Sequence, residues 1–466
     1  MSLEQAFEQT KKELTVTTDK LNEITDHFVN ELAKGLTKEG GNIPMIPGWV
    51  MDYPTGQETG EYLAIDLGGT NLRVVGVTLL GNSKFTYEAD KYPIPTEMRT
   101  GDADSLFDFI AQSVHSFVEQ RFPDAIKEKK ILPLGFTFSY PASQEAINTG
   151  VLQRWTKGFD IDGVEGHDVV PMLQKSLNKL GTPINVVALI NDTTGTLVAS
   201  KYTDPETIMG LIFGTGCNGA YFDDASNIPK LEGKLPEDIV NEKSPMAINC
   251  EYGAFDNEWK VLPRTKYDVQ IDNESPRPGQ QFYEKMIAGY YLGEVLRLIL
   301  LDYYSQGLVF KGQDIKPLQT PFAMDTSFPS RIEEAEDKVF IDNLFKESFN
   351  ITITPTERDL IHQLCILIGT RAARLSVCGI AAICKRRNYK KGHCASDGSV
   401  FNRYPHFKDR AHAALNDIFQ WNTDPADYPI TLIHAEDGSG VGAAIIACLT
   451  EKRLAAGKSV GVIGSK

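Results

Sequence analysis

Tyr62-Leu63-Ala64-Ile65-Asp66-Leu67-Gly68-Gly69-Thr70-Asn71-Leu72-Arg73-Val74-Val75-Gly76-Val77 is an apolar run, a glycine-rich turn and a second apolar run. Two short strands joined this way predict a hairpin. Glycine adopts positive φ and leaves the backbone open to close approach, so successive N–H groups can converge on an anion. The unit returns at Leu211-Ile212-Phe213-Gly214-Thr215-Gly216-Cys217-Asn218-Gly219-Ala220-Tyr221-Phe222. This recurrence predicts two related lobes, each aiming a glycine turn at a shared cleft. A third glycine turn, Asp437-Gly438-Ser439-Gly440-Val441-Gly442, follows the apolar strand Ile430 to Ile433. None ends in the G-K-[ST] of a Walker loop, and none is a convincing Rossmann G-x-G-x-x-G. One such turn is more often a plain turn, but three after strands point to a nucleotide held between lobes.

Outward from these turns the pattern is α/β. Leu21, Ile24, Phe28 and Leu32 recur at helical spacing behind Thr17-Thr18-Asp19, and a helix to about Leu36 stops at Gly40-Gly41. Leu106, Phe109, Ile110, Val114 and Phe117 mark another helix. Strands are expected at Ile131 to Phe138 and Val186 to Ile190, and long helices at Gln280 to Tyr304 and Glu357 to Cys384. The acidic run Glu333 to Asp337 reads as a solvated loop or helix face. Lys385-Arg386-Arg387 with Lys390-Lys391 reads as the basic end of a helix, favoured by the macrodipole, ahead of a nucleic-acid or nuclear-import patch.

At 466 residues the chain exceeds one hydrophobic core, and 42% apolar with 23% charged residues excludes dominant disorder. A net charge of −15 argues against nucleic acid as a partner. It leaves phosphate ligands open, because backbone amides bind them locally. Seven cysteines without C-x-x-C spacing, as in Val377-Cys378-Gly379-Ile380, read as reduced thiols packed as small hydrophobes. No secretory signal is visible and no apolar stretch approaches the roughly 18 residues that span a bilayer, so a cytoplasmic protein without membrane attachment is expected.

Several polar residues have chemical uses in this setting. Asp66, at the mouth of the first turn, can hold Mg²⁺ directly or through water, or can accept turn N–H bonds. Asn191-Asp192 closes the strand Val186 to Ile190, where α/β sheets point side chains into a binding crevice. Asp192 can there accept a proton from a substrate hydroxyl, and the same pair can cap the helix that follows. Thr156-Lys157, Asn218, Glu251 and Glu284 stand among apolar or glycine neighbours. Carboxylates and amides making paired hydrogen bonds are what sugar hydroxyls need.

These residues resemble a known family. Leu63 to Arg73 is similar to the phosphate-1 motif of eukaryotic hexokinases, and Leu152-Gln153-Arg154-Trp155-Thr156-Lys157-Gly158-Phe159 to their sugar-binding signature. Asn191-Asp192-Thr193-Thr194-Gly195-Thr196, Phe213 to Gly219 and Ile248-Asn249-Cys250-Glu251-Tyr252-Gly253 follow in family order. Ser244 to Cys250 most resembles the yeast-type (fungal) members, and the match runs from about residue 20 onward. The resemblance implies a two-lobed, actin-like (ribonuclease H-like) ATPase fold. It divides into a small lobe of 57–190 plus 437–466 and a large lobe of 1–56 plus 191–436.

It further implies ATP-dependent phosphorylation of the 6-hydroxyl of glucose, fructose or mannose. Asp192 would be the base, with Lys157 beside it in catalysis. Ser139, Thr156, Lys157, Asn191, Asn218, Glu251 and Glu284 would hold the sugar. Asp66 would serve Mg²⁺. Leu67, Gly68, Gly69, Thr70 and Asn71, with Lys91 and Thr215, would surround the phosphates. Thr326, Ser327, Gly398, Ser399, Gly438, Ser439 and Gly440 would lie toward the nucleoside. Cys217 stands where relatives often carry a small aliphatic residue and Tyr140 where many carry Phe, and neither position is expected to touch a named role. The partners implied are a hexose and ATP, the state a monomer or weak homodimer. A glucose-specific glucokinase and a sugar-sensing regulatory protein on the same fold are the alternatives. An intact Asp192, Lys157, Asp66 and Thr215 set favours the enzyme.

Overall fold

In the computed structural model, which describes residues 2–37, 41–155 and 159–465, the first hairpin forms as expected. Strands β1 (Thr59–Leu67) and β2 (Asn71–Gly81) pair antiparallel. Strand β3 (Lys84–Pro93) continues the meander, and β4 (Leu132–Thr137) and β5 (Ile184–Ile190) add in parallel on the other side of β1, giving the order β3-β2-β1-β4-β5. The sequence does not announce β3. Its exposed Lys84, Glu88 and Lys91 hide any apolar alternation, and charge on an edge strand blocks pairing with other chains.

The second sheet repeats the plan. Strands β6 (Thr207–Phe213), β7 (Cys217–Asp224) and β8 (Pro245–Asn249) form an antiparallel meander, and β9 (Gly392–Asp397) and β10 (Ile430–His434) extend it in parallel from β6. Its order, β8-β7-β6-β9-β10, matches that of the first sheet strand for strand, with the short strand Ile46–Pro47 added beside β8. The recurring glycine hairpin is therefore the visible part of a repeated lobe.

Helix α1 (Leu3–Leu14) precedes α2 (Thr18–Thr37), whose Leu21, Ile24, Phe28 and Leu32 are fully buried. The expected cap is present, with Thr17 Oγ1 accepting from Lys20 N at 3.2 Å. Helices α3 (Ala103–Arg121) and α4 (Val169–Lys179) cover one face of the first sheet, burying Leu63, Ile65, Leu67, Leu72 and Val74. Residues of the opposite parity, Ala64, Val75, Val77 and Leu79, join the other core, as a period of two requires. Asp66 and Arg73 share that second parity, so they turn toward the interior of the molecule where the two sheets meet.

Helix α5 (Asp192–Thr203) runs between the sheets and lies on β6 at Gly210, where a Cβ would fall 2.4 Å from Leu197 N. Its Gly195 meets the 438–442 turn so closely that a Cβ would sit 2.1 Å from Gly438 O. Alanine is the better helix former by about 1 kcal/mol. Gly195→Ala is nonetheless expected to destabilise the protein by about 1–3 kcal/mol through overpacking. Urea unfolding midpoints check the sign.

The helix expected at Gln280 to Tyr304 is instead two, α6 (Phe282–Ile287) and α7 (Gly289–Ser305), because Ala288 is extended at φ −78° and ψ 150°. The break lets Gly289 N donate to Gly214 O at 2.8 Å, docking the second glycine hairpin. Helix α8 (Ser327–Glu334) corrects another expectation, since Glu333 is 9% exposed and ion-paired with Arg410 rather than solvated.

Helix α9 (Pro355–Arg387) opens with a capping box on Thr354 and Glu357 and ends on the basic cluster. Lys385 there pairs with Asp26, and Arg386 and Arg387 with the buried Asp223. Contrary to the sequence expectation, α9 holds an 18-residue window apolar enough to cross a membrane; 78% of that window is buried inside the fold, which makes α9 a core helix. Helix α10 (Ala443–Ala455) packs on β4, where the absent side chain of Gly135 leaves room for Ala443 O. All seven cysteines are free and buried, as expected.

Candidate active site

Asn191 and Asp192 leave β5 and start α5. The Asn191 carboxamide oxygen accepts from Thr193 N at 2.9 Å, which caps the helix, and Asp192 Oδ1 accepts from the same N–H at 2.8 Å. The capping role and the crevice position hold together. A carboxylate in the first turn is favoured by the helix dipole, so this anion is held at the carboxyl end of a buried strand.

Beside it lies a cavity of about 420 Å³, lined by Ser139, Asn191, Asn249, Glu251, Gln281 and Arg154 among others. Behind its wall, Asn218 is the hub of a buried polar network. Its amide nitrogen donates to Asn249 Oδ1 at 2.8 Å and to Glu251 Oε1 at 2.9 Å. Its carbonyl oxygen accepts from Gly219 N at 2.7 Å and Glu251 N at 2.9 Å. Asn249 Nδ2 also donates to Glu251 Oε1 at 2.9 Å. Glu251 itself is left-handed at φ 54°, which turns its carboxylate back into this group. The sequence string containing Asn249 drew attention only to Glu251; its place at the last position of β8, pointing with the site, was the usable signal.

Glu284 accepts from Cys217 N at 2.9 Å and fits between Gly216 and Gly253, whose missing side chains make its room. Burial, with the nearby Glu251 charge, raises its carboxyl from 4.5 to about 7. The native state then binds more protons than the unfolded chain between those values, so stability falls as pH rises from about 4.5 to about 7. The loss is about 3 kcal/mol at most. Glu284→Gln is expected to flatten this slope, as read from urea midpoints of the sugar-free protein at pH 5 and pH 8.

Of the sugar-side residues expected from sequence, Ser139, Asn191 and Glu251 line one cavity; Asp192 follows Asn191, Asn218 bonds Glu251 from behind the wall, and Glu284 packs against Gly216 and Gly253. Thr156 and Lys157 lie outside the described residues. The described residues on either side of them are held by aromatic packing: Trp155 meets Tyr140 edge-on with ring centroids 5.0 Å apart and stacks on Phe159 at 5.4 Å. Trp155 N also donates to Glu165 Oε1 at 2.6 Å.

Of the two departures from the family pattern, Tyr140 reaches a residue named above, its OH donating to Gly68 O at 3.4 Å; Cys217 meets Glu284 through its backbone N–H, which any residue would supply.

On the phosphate side, Asp66, Arg73 and Lys91 stand opposite one another across β1, β2 and β3, with Thr137 continuing the row on β4. Gly68, Gly69, Thr70 and Asn71 form the turn, closed by Gly68 N donating to Asn71 O at 3.0 Å. Leu67, just before it, is fully buried and anchors the strand. Lys91 is exposed on the edge strand. Thr215, at the tip of the second hairpin, is exposed as well. The start of a Gly214 side chain would be 3.5 Å from Gly398 Cα and 3.6 Å from Ser399 N, so these two turns meet. Helix α7 brings in the third element, since Gly293 packs on Met324 O and Asp325 O, just before Thr326 and Ser327. Thr326 Oγ1 is buried there and finds no hydrogen-bond partner among the described residues.

The Gly438, Ser439 and Gly440 stretch differs from expectation. It is a wide helical turn (Gly438–Gly442) opening α10, capped by Asp437, which accepts from Gly440 N at 2.9 Å. Its contacts run to Gly195 and Thr196 of α5 and to Thr137, whose hydroxyl donates to Ser439 O at 2.8 Å. It is a joint between the sheets. Sequence reasoning also missed the Arg73–Asp437 ion pair at this joint.

Among the described residues no three His, Cys, Asp or Glu side chains are grouped to cage a metal. A single carboxylate beside a glycine turn, which Asp66 provides, fits Mg²⁺, because that ion keeps water and phosphate as most of its ligands.

The comparisons with known proteins agree with this geometry. Two family models, both described as hexokinase, match residues 6–202 and 208–449. The hexokinase of Kluyveromyces lactis is 64% identical over 97% of this chain and 93% of its own length. Hexokinase-2 of Saccharomyces cerevisiae is 62% identical over 99% of this chain and 96% of its own. A solved hexokinase from Schistosoma mansoni, complexed with glucose, superposes with a TM-score of 0.82 at 34% identity, covering 96% of this chain and all of that one.

Proposed function

The chain belongs to the hexokinase family and has hexokinase activity, and from that premise we propose that Asp192 is the general base for transfer of the ATP γ-phosphoryl group to the 6-hydroxyl of D-glucose, D-fructose or D-mannose. The observation that carries the reading is the carboxylate at the start of α5 beside a cavity lined by Asn191, Asn249 and Glu251. The lobe division given above follows the two sheets on this reading.

Phosphoryl transfer asks the protein mainly for positioning and charge stabilisation. Ser139, Asn191, Asn218, Glu251 and Glu284, with Thr156 and Lys157, orient the hexose so that its 6-hydroxyl meets Asp192. Asp192 takes the hydroxyl proton as the oxygen bonds phosphorus and the bond to the ADP oxygen breaks. Backbone amides of the 68–71 turn, with Thr215 and Lys91, hold the phosphates. Thr326, Ser327, Gly398 and Ser399 face the nucleoside. Asp66 would hold Mg²⁺ through water, and that ion supplies neutralisation of phosphate charge when bound. Water competes with the sugar as nucleophile, so closure of the lobes on the hexose completes the site and excludes it.

The test is a coupled assay for hexose 6-phosphate with glucose, fructose and mannose in turn. Turnover with all three is expected, while turnover with glucose alone would narrow the substrate to that sugar.

A further inference from the structure

We infer that Lys285, paired with Asp272, is a positioning residue for the hexose: the buried pair pins the 275–281 loop and so sets the reach of Gln281 into the cavity. The inference rests on the reading of that cavity as the hexose site.

Gln281 lines the cavity from the end of this loop. Its carboxamide oxygen occupies room left by Gly253, where a Cβ would fall 2.5 Å from Gln281 Oε1 and 3.3 Å from Glu284 Oε2. The two side chains therefore reach the same corner of the site. Gln281 is left-handed at φ 56°. A residue with a side chain takes that conformation at a cost, so it persists where the surroundings enforce it. The loop before it, Ser275-Pro276-Arg277-Pro278-Gly279-Gln280, belongs to no helix or strand.

What fixes the loop is the buried pair. Asp272, in the last turn of the helix Lys266–Glu274, accepts from Gly279 N with both oxygens, at 3.1 and 3.0 Å. Lys285 Nζ donates to Asp272 Oδ1 at 2.7 Å and to Arg277 O at 2.8 Å. The base of this arrangement is anchored in turn: Asp268, one turn earlier on the same helix, is held bidentate by Arg371 of α9. At the other end Lys285 follows Glu284 on α6, and its backbone N donates to Gln281 O at 3.0 Å. Helix α6 thus carries Glu284 to the site and Lys285 to the loop behind it. A buried ion pair is a weak source of net stability beside an apolar pair of the same size, and what this one secures is the place of Gln281.

The experiment is a mutant cycle read by calorimetry with glucose. Asp272→Asn combined with Lys285→Met removes both charges together, keeps an acceptor for Gly279 N and leaves no buried ion unpaired. This pair variant is expected to weaken glucose binding by about 3–10-fold, the range of one neutral hydrogen bond, and Gln281→Ala by as much. Combining all three changes should weaken binding no more than Gln281→Ala alone, within about twofold, because the pair acts through that side chain. Losses that multiply would show a merely structural role and overturn the inference, as would a pair variant that binds glucose like the parent. Asp272→Asn alone, a near-isosteric change, serves the same cycle if the pair variant does not fold. Glu251→Gln separates the two readings. If it weakens glucose binding while Gln281→Ala does not, the positioning role alone fails. If neither weakens it, the reading of the cavity fails and the inference falls with it.

Discussion

Asp192→Ala is expected to remove about 10²–10⁴-fold of turnover, the usual contribution of a general base, while glucose affinity stays within about tenfold. The split follows from where Asp192 stands. It opens α5 beside the cavity, but the amides and carboxylate that line the cavity come from Asn191, Asn249 and Glu251. Loss of its carboxylate takes away a proton acceptor and one bond to Thr193 N, which Asn191 also caps. Coupled-assay kcat and calorimetric Kd report the two quantities separately. Turnover kept within tenfold of the parent would remove Asp192 from the base role.

Asn218→Leu is expected to show the opposite signature, with hexose affinity falling by about 10²-fold or more. Asn218 is 9% exposed. Its carboxamide donates to two carbonyl or carboxylate oxygens and accepts from two backbone N–H groups, so an apolar side chain of similar size strands several buried polar atoms at once. Glu251 then loses the contact that fixes its left-handed backbone and one of the two amides that aim its carboxylate. Calorimetry with glucose measures the loss, and an unchanged Kd would show that the hub does not support the sugar site.

Much of this was legible in the chain. The hairpin around Asp66 and its echo around Gly214 foretold two related sheets, because a glycine turn between short apolar runs has few other uses. Residues placed by local chain direction, Asn191 and Asp192 at a strand end and Glu251 after another, fell where expected. What escaped detection was non-local. The break at Ala288 is dictated by docking of Gly289 on Gly214, which no helical period records. The Arg73–Asp437 ion pair spans 364 residues, and an arginine in an apolar strand was the one hint of it. Glu333 looked solvated because its acidic neighbours are, but its partner Arg410 comes from beyond α9.

The buried cysteines have a consequence for chemical resistance. The thiolate is the reactive form, and burial pushes the thiols of Cys378 and Cys384 up to about 12 and those of Cys217 and Cys365 well above their usual range. Alkylating or oxidising agents therefore meet these sulfurs only in molecules that have locally opened. Cys217 and Cys250 adjoin Asn218 and Glu251, whose side chains are bonded to each other, so a hexose held as proposed is expected to slow modification of both thiols.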